Sequence, residues 1–112
     1  MSSEQLAERV AEAARELQDG FDGRSSCALA KAGRSAGSRK AVEGRWAALR
    51  ELQRRTETGE SSSLAAAQLL HTWTADLHRH QANGSSADWI TYRAGGVAAL
   101  TEWLAAEGVP AA

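Results

Sequence analysis

Apolar residues return every three or four positions in four separate stretches of the chain, and a glycine closes each stretch. In "SSEQLAERVAEAARELQDG" the recurring positions are Leu6, Val10, Ala13 and Leu17, ahead of Gly20. "SRKAVEGRWAALRELQRRTETG" offers Val42, Trp46, Leu49 and Leu52 or Gln53 before Gly59. "SSSLAAAQLLHTWTADLHRHQANG" gives Ala66, Leu69 or Leu70, Trp73 and Leu77 before Gly84. "SSADWITYRAGGVAALTEWLAAEG" carries Ile90, Val97, Leu100 and Leu104, widened by Trp89, Tyr92 and Trp103, before Gly108. Each set is one stripe on a helix of about 3.6 residues per turn. A glycine just past such a stripe adopts the left-handed conformation that satisfies the last carbonyls. Pro110, the one proline, reinforces the fourth stop.

Starts are marked too. Ser2 with Gln5 and Ser85 with Asp88 have capping-box spacing or a near variant of it, and Ser61–Ser63 and Ser35 or Ser38 supply caps for the other two helices. No stretch alternates apolar and polar residues with branched or aromatic side chains, so strands are not expected. The prediction is an all-α chain: a compact antiparallel four-helix bundle in one domain over residues 1–112. Short links between the last three helices make them antiparallel neighbours. The longer first link, residues 20–37, has room for a short extra helix near residues 26–32.

Four tryptophans accompany a single phenylalanine and a single tyrosine. Each indole buries roughly 150–250 Å², so the rings are expected to meet in one dry interior against alanines. Gly95 and Gly96 lie inside the fourth helix, where two glycines cost about 2 kcal/mol relative to alanine. Close approach of a neighbouring helix or an indole would offset that. A break at the pair, opening a ligand pocket, is the alternative.

Composition narrows the class. The chain has 112 residues, 43% of them hydrophobic and 24% charged, which suits one globular domain. Its apolar runs are too short to cross a bilayer, and "MSSEQLAERV" lacks the character of a secretory or transit leader. Cys27 is alone, so no internal disulfide forms and a reducing cytoplasm is expected. The alanine- and arginine-rich usage fits a GC-rich bacterial genome.

A formal charge of −1 hides a segregated distribution. Residues 23–56 hold nine bases and two acids, whereas Glu4, Glu8, Glu12 and Glu16 form an acidic stripe on the first helix. Pairing of that stripe with Arg39, Arg50 and Arg54 would relieve both repulsions. The segment "SSCALAKAGRSAGSRKAVEGRWAALRELQRR" also resembles, loosely, a helix-turn-helix, although Arg39 stands where an apolar locking residue belongs. A phosphate loop needs GxxxxGK[ST] after a strand, and neither is present.

His71, His78 and His80 lie beside Asp76. Ligands must converge within about 2.0–2.2 Å of a metal, yet His71 and His78 are about 10.5 Å apart along a helix axis. Cys27 has no histidine near it in sequence, and no serine sits in a GxSxG elbow. No catalytic residue, cofactor or metal site is therefore expected, and the chain is not read as an enzyme.

Three functional readings follow, in order. The first is a small interaction or accessory protein acting through its surface, paired with itself as a homodimer along the tryptophan-rich last helix. The second is a DNA-binding transcriptional regulator using residues 25–55, with Arg34, Arg39, Lys40 and Arg45 on the nucleic acid. The third is a small-molecule binder with a pocket at Trp73, Trp89, Tyr92, Gly95 and Gly96. No membrane partner is expected.

Overall fold

A computed structural model describes residues 3–21 and 36–108, with side chains over 3–18 and 39–108. Four helices follow one another: α1 (Ser3–Phe21), α2 (Ala36–Glu57), α3 (Ser62–Ala82) and α4 (Ala87–Ala106). No strand occurs among the described residues. The expected short helix near 26–32, Cys27, Arg34, the caps at Ser2 and Ser35, and Pro110 lie outside the described residues.

Three of the four glycine stops work as the pattern predicts. Gly59, Gly84 and Gly108 have φ of 96°, 66° and 79°. After α2, the Glu60 amide reaches back to the Arg55 carbonyl (3.2 Å) and Gly59 to Thr56 (3.0 Å). After α3, Ser85 reaches His80 (2.9 Å) and Gly84 reaches Gln81 (3.4 Å). These paired back-bonds satisfy carbonyls that the helix leaves open. Gly20 is different: α1 runs through it to Phe21. At the starts, the Ser61 hydroxyl accepts from the Leu64 amide at 3.4 Å. The expected Ser85–Asp88 pairing does not form, because Ser86 is the cap of α4 and the Ser85 hydroxyl bonds His80 Nδ1 at 2.9 Å instead.

The chain alternates direction. Ser62 and Ser63 bond Glu107 at one end of the α3–α4 pair, and His80 stacks on Trp89 at the other. α2 therefore runs parallel to α4, and the two make the most extensive interface of the bundle. α1 packs on α2 and reaches α4 through Arg9, whose guanidinium lies 5.6 Å from the centroid of Trp103.

The α2–α4 seam is made by small residues. A Cβ on Gly44 would collide with the Tyr92 carbonyl, and one on Gly95 with the Ala41 carbonyl. The backbones thus touch reciprocally. Gly96 is filled by the ring of Trp73. The helix is unbroken through both glycines, so the expected close approach of a neighbouring helix and an indole is what offsets them, and the alternative of a break does not occur.

This seam also decides which indoles are dry. Trp103 (0% exposed) and Trp73 (4%) are buried, whereas Trp46 (36%) and Trp89 (54%) are not, which corrects the expectation of a shared interior. Because Gly44, Ala48, Leu49 and Leu52 take the inner face of α2, Trp46 is turned to its flank. The indole N–H of Trp103 finds no acceptor among the described residues. Such a group costs about 1–3 kcal/mol, less than the roughly 4–6 kcal/mol gained by burying the ring at about 25 cal/mol per Å².

Gly95→Ala should lower stability by about 1–3 kcal/mol, the scale of overpacking, as read from the urea midpoint. A solvent-facing helical glycine would show the opposite sign, since alanine gains about 1 kcal/mol there.

At the α2–α3 link, Arg55 donates twice to Glu60, each at 2.8 Å. The bonded guanidinium holds the Glu60 carboxyl below the usual glutamate range and raises Arg55 in turn. A depressed folded value means that the stabilisation is full above the unfolded carboxylate pKa and fades as pH falls through the folded one. The Glu60 carboxyl followed by NMR should titrate below an ordinary glutamate, and Arg55→Gln should return it to the ordinary range.

Candidate functional site

Three of the four bases assigned to nucleic acid, Arg39, Lys40 and Arg45, are paired with acids, and the fourth, Arg34, lies outside the described residues. Arg39 Nε lies 3.0 Å from Glu43 Oε1, Lys40 Nζ 3.1 Å from Glu43 Oε2, and Arg45 3.2 Å from Glu16 Oε2. The acidic stripe of α1 therefore meets α2 at Glu16–Arg45. Arg39 and Arg50, expected in that role, bond Glu43 and Gln53 on their own helix. Partly exposed pairs of this kind are worth about 0–1 kcal/mol each, so they shape the surface potential more than the stability.

The histidines separate. His71 and His78 are exposed on α3, and His80 stacks on Trp89 with centroids 5.9 Å apart and planes 12° from parallel. No metal-ligating cluster occurs among the described residues. Asp76 faces Arg93 across 3.5 Å and also pairs with Arg79, so its carboxylate is committed to two guanidiniums.

An aromatic ladder rises from the core at this end of the bundle. Trp73 lies buried at its base, Tyr92 sits 5.5 Å away, and Trp89 meets Tyr92 edge-on at 5.9 Å. The Arg93 guanidinium covers Trp73 at 4.6 Å and Tyr92 at 5.6 Å, with Asp76 as counter-ion. Above the ladder opens a cleft of about 370 Å³, lined by Lys40 and Glu43 of α2 and by Ser86, Asp88, Trp89 and Tyr92. Of the five pocket residues expected from sequence, Trp89 and Tyr92 reach this cleft. Trp73, Gly95 and Gly96 do not line it, because they are packed against one another and against α2.

Lys40, Glu43 and Asp88 had no mark as a group in the sequence. They converge only because the Gly44–Tyr92 contact brings the first turns of α2 beside the start of α4. Asp88 is exposed, falls in the first turn of α4, and has no ion-pair partner among the described residues.

A second surface is unusual for what it lacks. The outer face of α4 exposes Ala94, Ala98 and Ala105, with Ile90, Thr91, Val97 and Thr101 half-buried beside them. From Ile90 to Ala106 the charged residues are Arg93, turned onto Trp73, and Glu102. By contrast, α1 exposes Glu4, Glu8, Glu12, Arg15 and Glu16. A helix that is apolar on every side is ordinarily covered on every side.

No protein-family model, curated protein or solved structure matches the chain.

Proposed function

We propose that this is a small helical interaction protein that pairs with a second copy of itself along the outer face of α4. The observation that carries the reading is the near absence of charge on that face, whose middle is Ala94, Val97, Ala98 and Thr101. Small side chains permit the same close helix approach that Ala41 and Gly44 allow inside the bundle. A helix face is also suited to two-fold pairing, where one patch meets its own copy. With the crossing at Ala98 of an antiparallel pair, each Glu102 would oppose the partner's Ala94, so like charges stay apart. Small single-core domains gain buried area by such association.

The regulator reading draws less support from the surface. Arg39, Lys40 and Arg45 each face a carboxylate, whereas phosphate binding relies on positive charge that is free to displace counterions. The small-molecule reading is favoured by one observation, the cleft at Trp89. No described helix is long and apolar enough to cross a membrane. In this reading the protein works in a reducing bacterial cytoplasm, where the lone Cys27 stays a thiol.

Sedimentation equilibrium at micromolar concentration should give twice the 11.9 kDa chain mass. Ala98→Arg should return it to a single chain with unchanged helix content by circular dichroism, because the guanidinium would enter the seam unpaired. A monomeric parent protein, or a dimer indifferent to Ala98→Arg, would rule out this face.

A further inference from the structure

We infer that the Trp89 cleft is a binding site for a small organic cation, an alkylammonium or guanidinium group. Three features of the site argue for this, independently of how the chain pairs with itself.

The first is charge. Three charged side chains line the cleft, and Lys40 is already engaged: its Nζ is bonded to Glu43 at 3.1 Å, and Glu43 also holds Arg39 at 3.0 Å, so both cations beside the cleft are tied to one carboxylate. Asp88 is left over, with no ion-pair partner among the described residues. An entering anion would face that carboxylate and would have to break the Lys40–Glu43 bond. An entering cation finds a counter-ion ready.

The second is the ring arrangement. Trp89 is 54% exposed, a large area for an indole that also stacks on His80. It stands edge-on to Tyr92 with the planes 86° apart. Two perpendicular rings make a corner, and a cation placed in it meets the negative face of at least one. Such contacts are worth about 0.5–1 kcal/mol at exposed sites and more when water is excluded.

The third is a precedent within the molecule. Directly below, Arg93 lies over Trp73 and Tyr92 with Asp76 as its counter-ion. The fold thus already holds one organic cation by two rings and a carboxylate. Trp89, Tyr92 and Asp88 repeat that set one level up, facing solvent. A volume of about 370 Å³ is at the small end for ligand sites, which fits a free small molecule rather than a segment of another chain.

The test uses the full chain and follows the Trp89 indole N–H resonance, assigned through Trp89→Phe. Choline and ethylguanidinium are titrated as the cations, with 3,3-dimethylbutan-1-ol as the uncharged counterpart of choline. Saturable movement of the resonance by a cation, with the alcohol at least about tenfold weaker, is the expected result. Asp88→Asn should weaken the cation about fivefold, the scale of one exposed charge contact. Lys40→Gln should leave cation binding unchanged or tighten it, because a competing positive charge is gone. Trp89→Ala, followed through the backbone amide of Tyr92 because the indole probe is gone, should abolish it, and the exposure of that ring lets the variant fold. Equal binding of the alcohol, indifference to Asp88→Asn, or weakening by Lys40→Gln would overturn the assignment. A capped arginine tripeptide binding about tenfold tighter than ethylguanidinium would overturn the small-molecule source.

Discussion

The contact between the backbones of α2 and α4 constrains everything else in this molecule. Gly44 rests on the Tyr92 carbonyl and Gly95 on the Ala41 carbonyl, so neither position has room for a side chain. Glycines inside helices are unfavourable on their own. Here their cost is offset because the two axes come close enough for Ala48, Ala99 and the leucines beside them to close an apolar core. The same approach seats Trp73 against Gly96. Large rings and missing side chains are complementary parts of one packing solution.

That seam also organises the surface. By bringing the start of α2 beside the start of α4, it places Lys40 and Glu43 across from Asp88 and Trp89. The ion pairs along α2 then leave one carboxylate and two rings facing the cleft. On the far side of α4 nothing packs among the described residues, and the face left over is almost without charge. One helix thereby presents two surfaces of different chemistry: a polar aromatic corner at its start and a smooth small-residue face along its length.

Much of the architecture was legible from spacing. The stripes of α1 and α3 and the inner residues Leu100 and Leu104 of α4 are buried much as their periodicity predicts, and the glycine stops at 59, 84 and 108 hold. Gly20 misleads because a glycine marks a stop only when the next residues cannot continue the helix, and α1 continues to Phe21. Trp46 misleads for a related reason. Its spacing to Leu49 suits a stripe, but the inner face of α2 was taken by smaller residues that let α4 come nearer. The close approach of the two helices, rather than side-chain size, decides burial here.

The sequence by itself determined the four helices, most of their limits and their all-α assembly, because those follow from local capping, helix propensity and the period of apolar residues. It also determined that the Gly95–Gly96 pair needed a compensating contact. Only the tertiary structure decided which indoles are dry, which acid partners each base, and that Lys40, Glu43 and Asp88 share one cleft with Trp89. Those outcomes depend on how closely and at what rotation two helices pack, a property of pairs of surfaces that no single stretch of chain encodes.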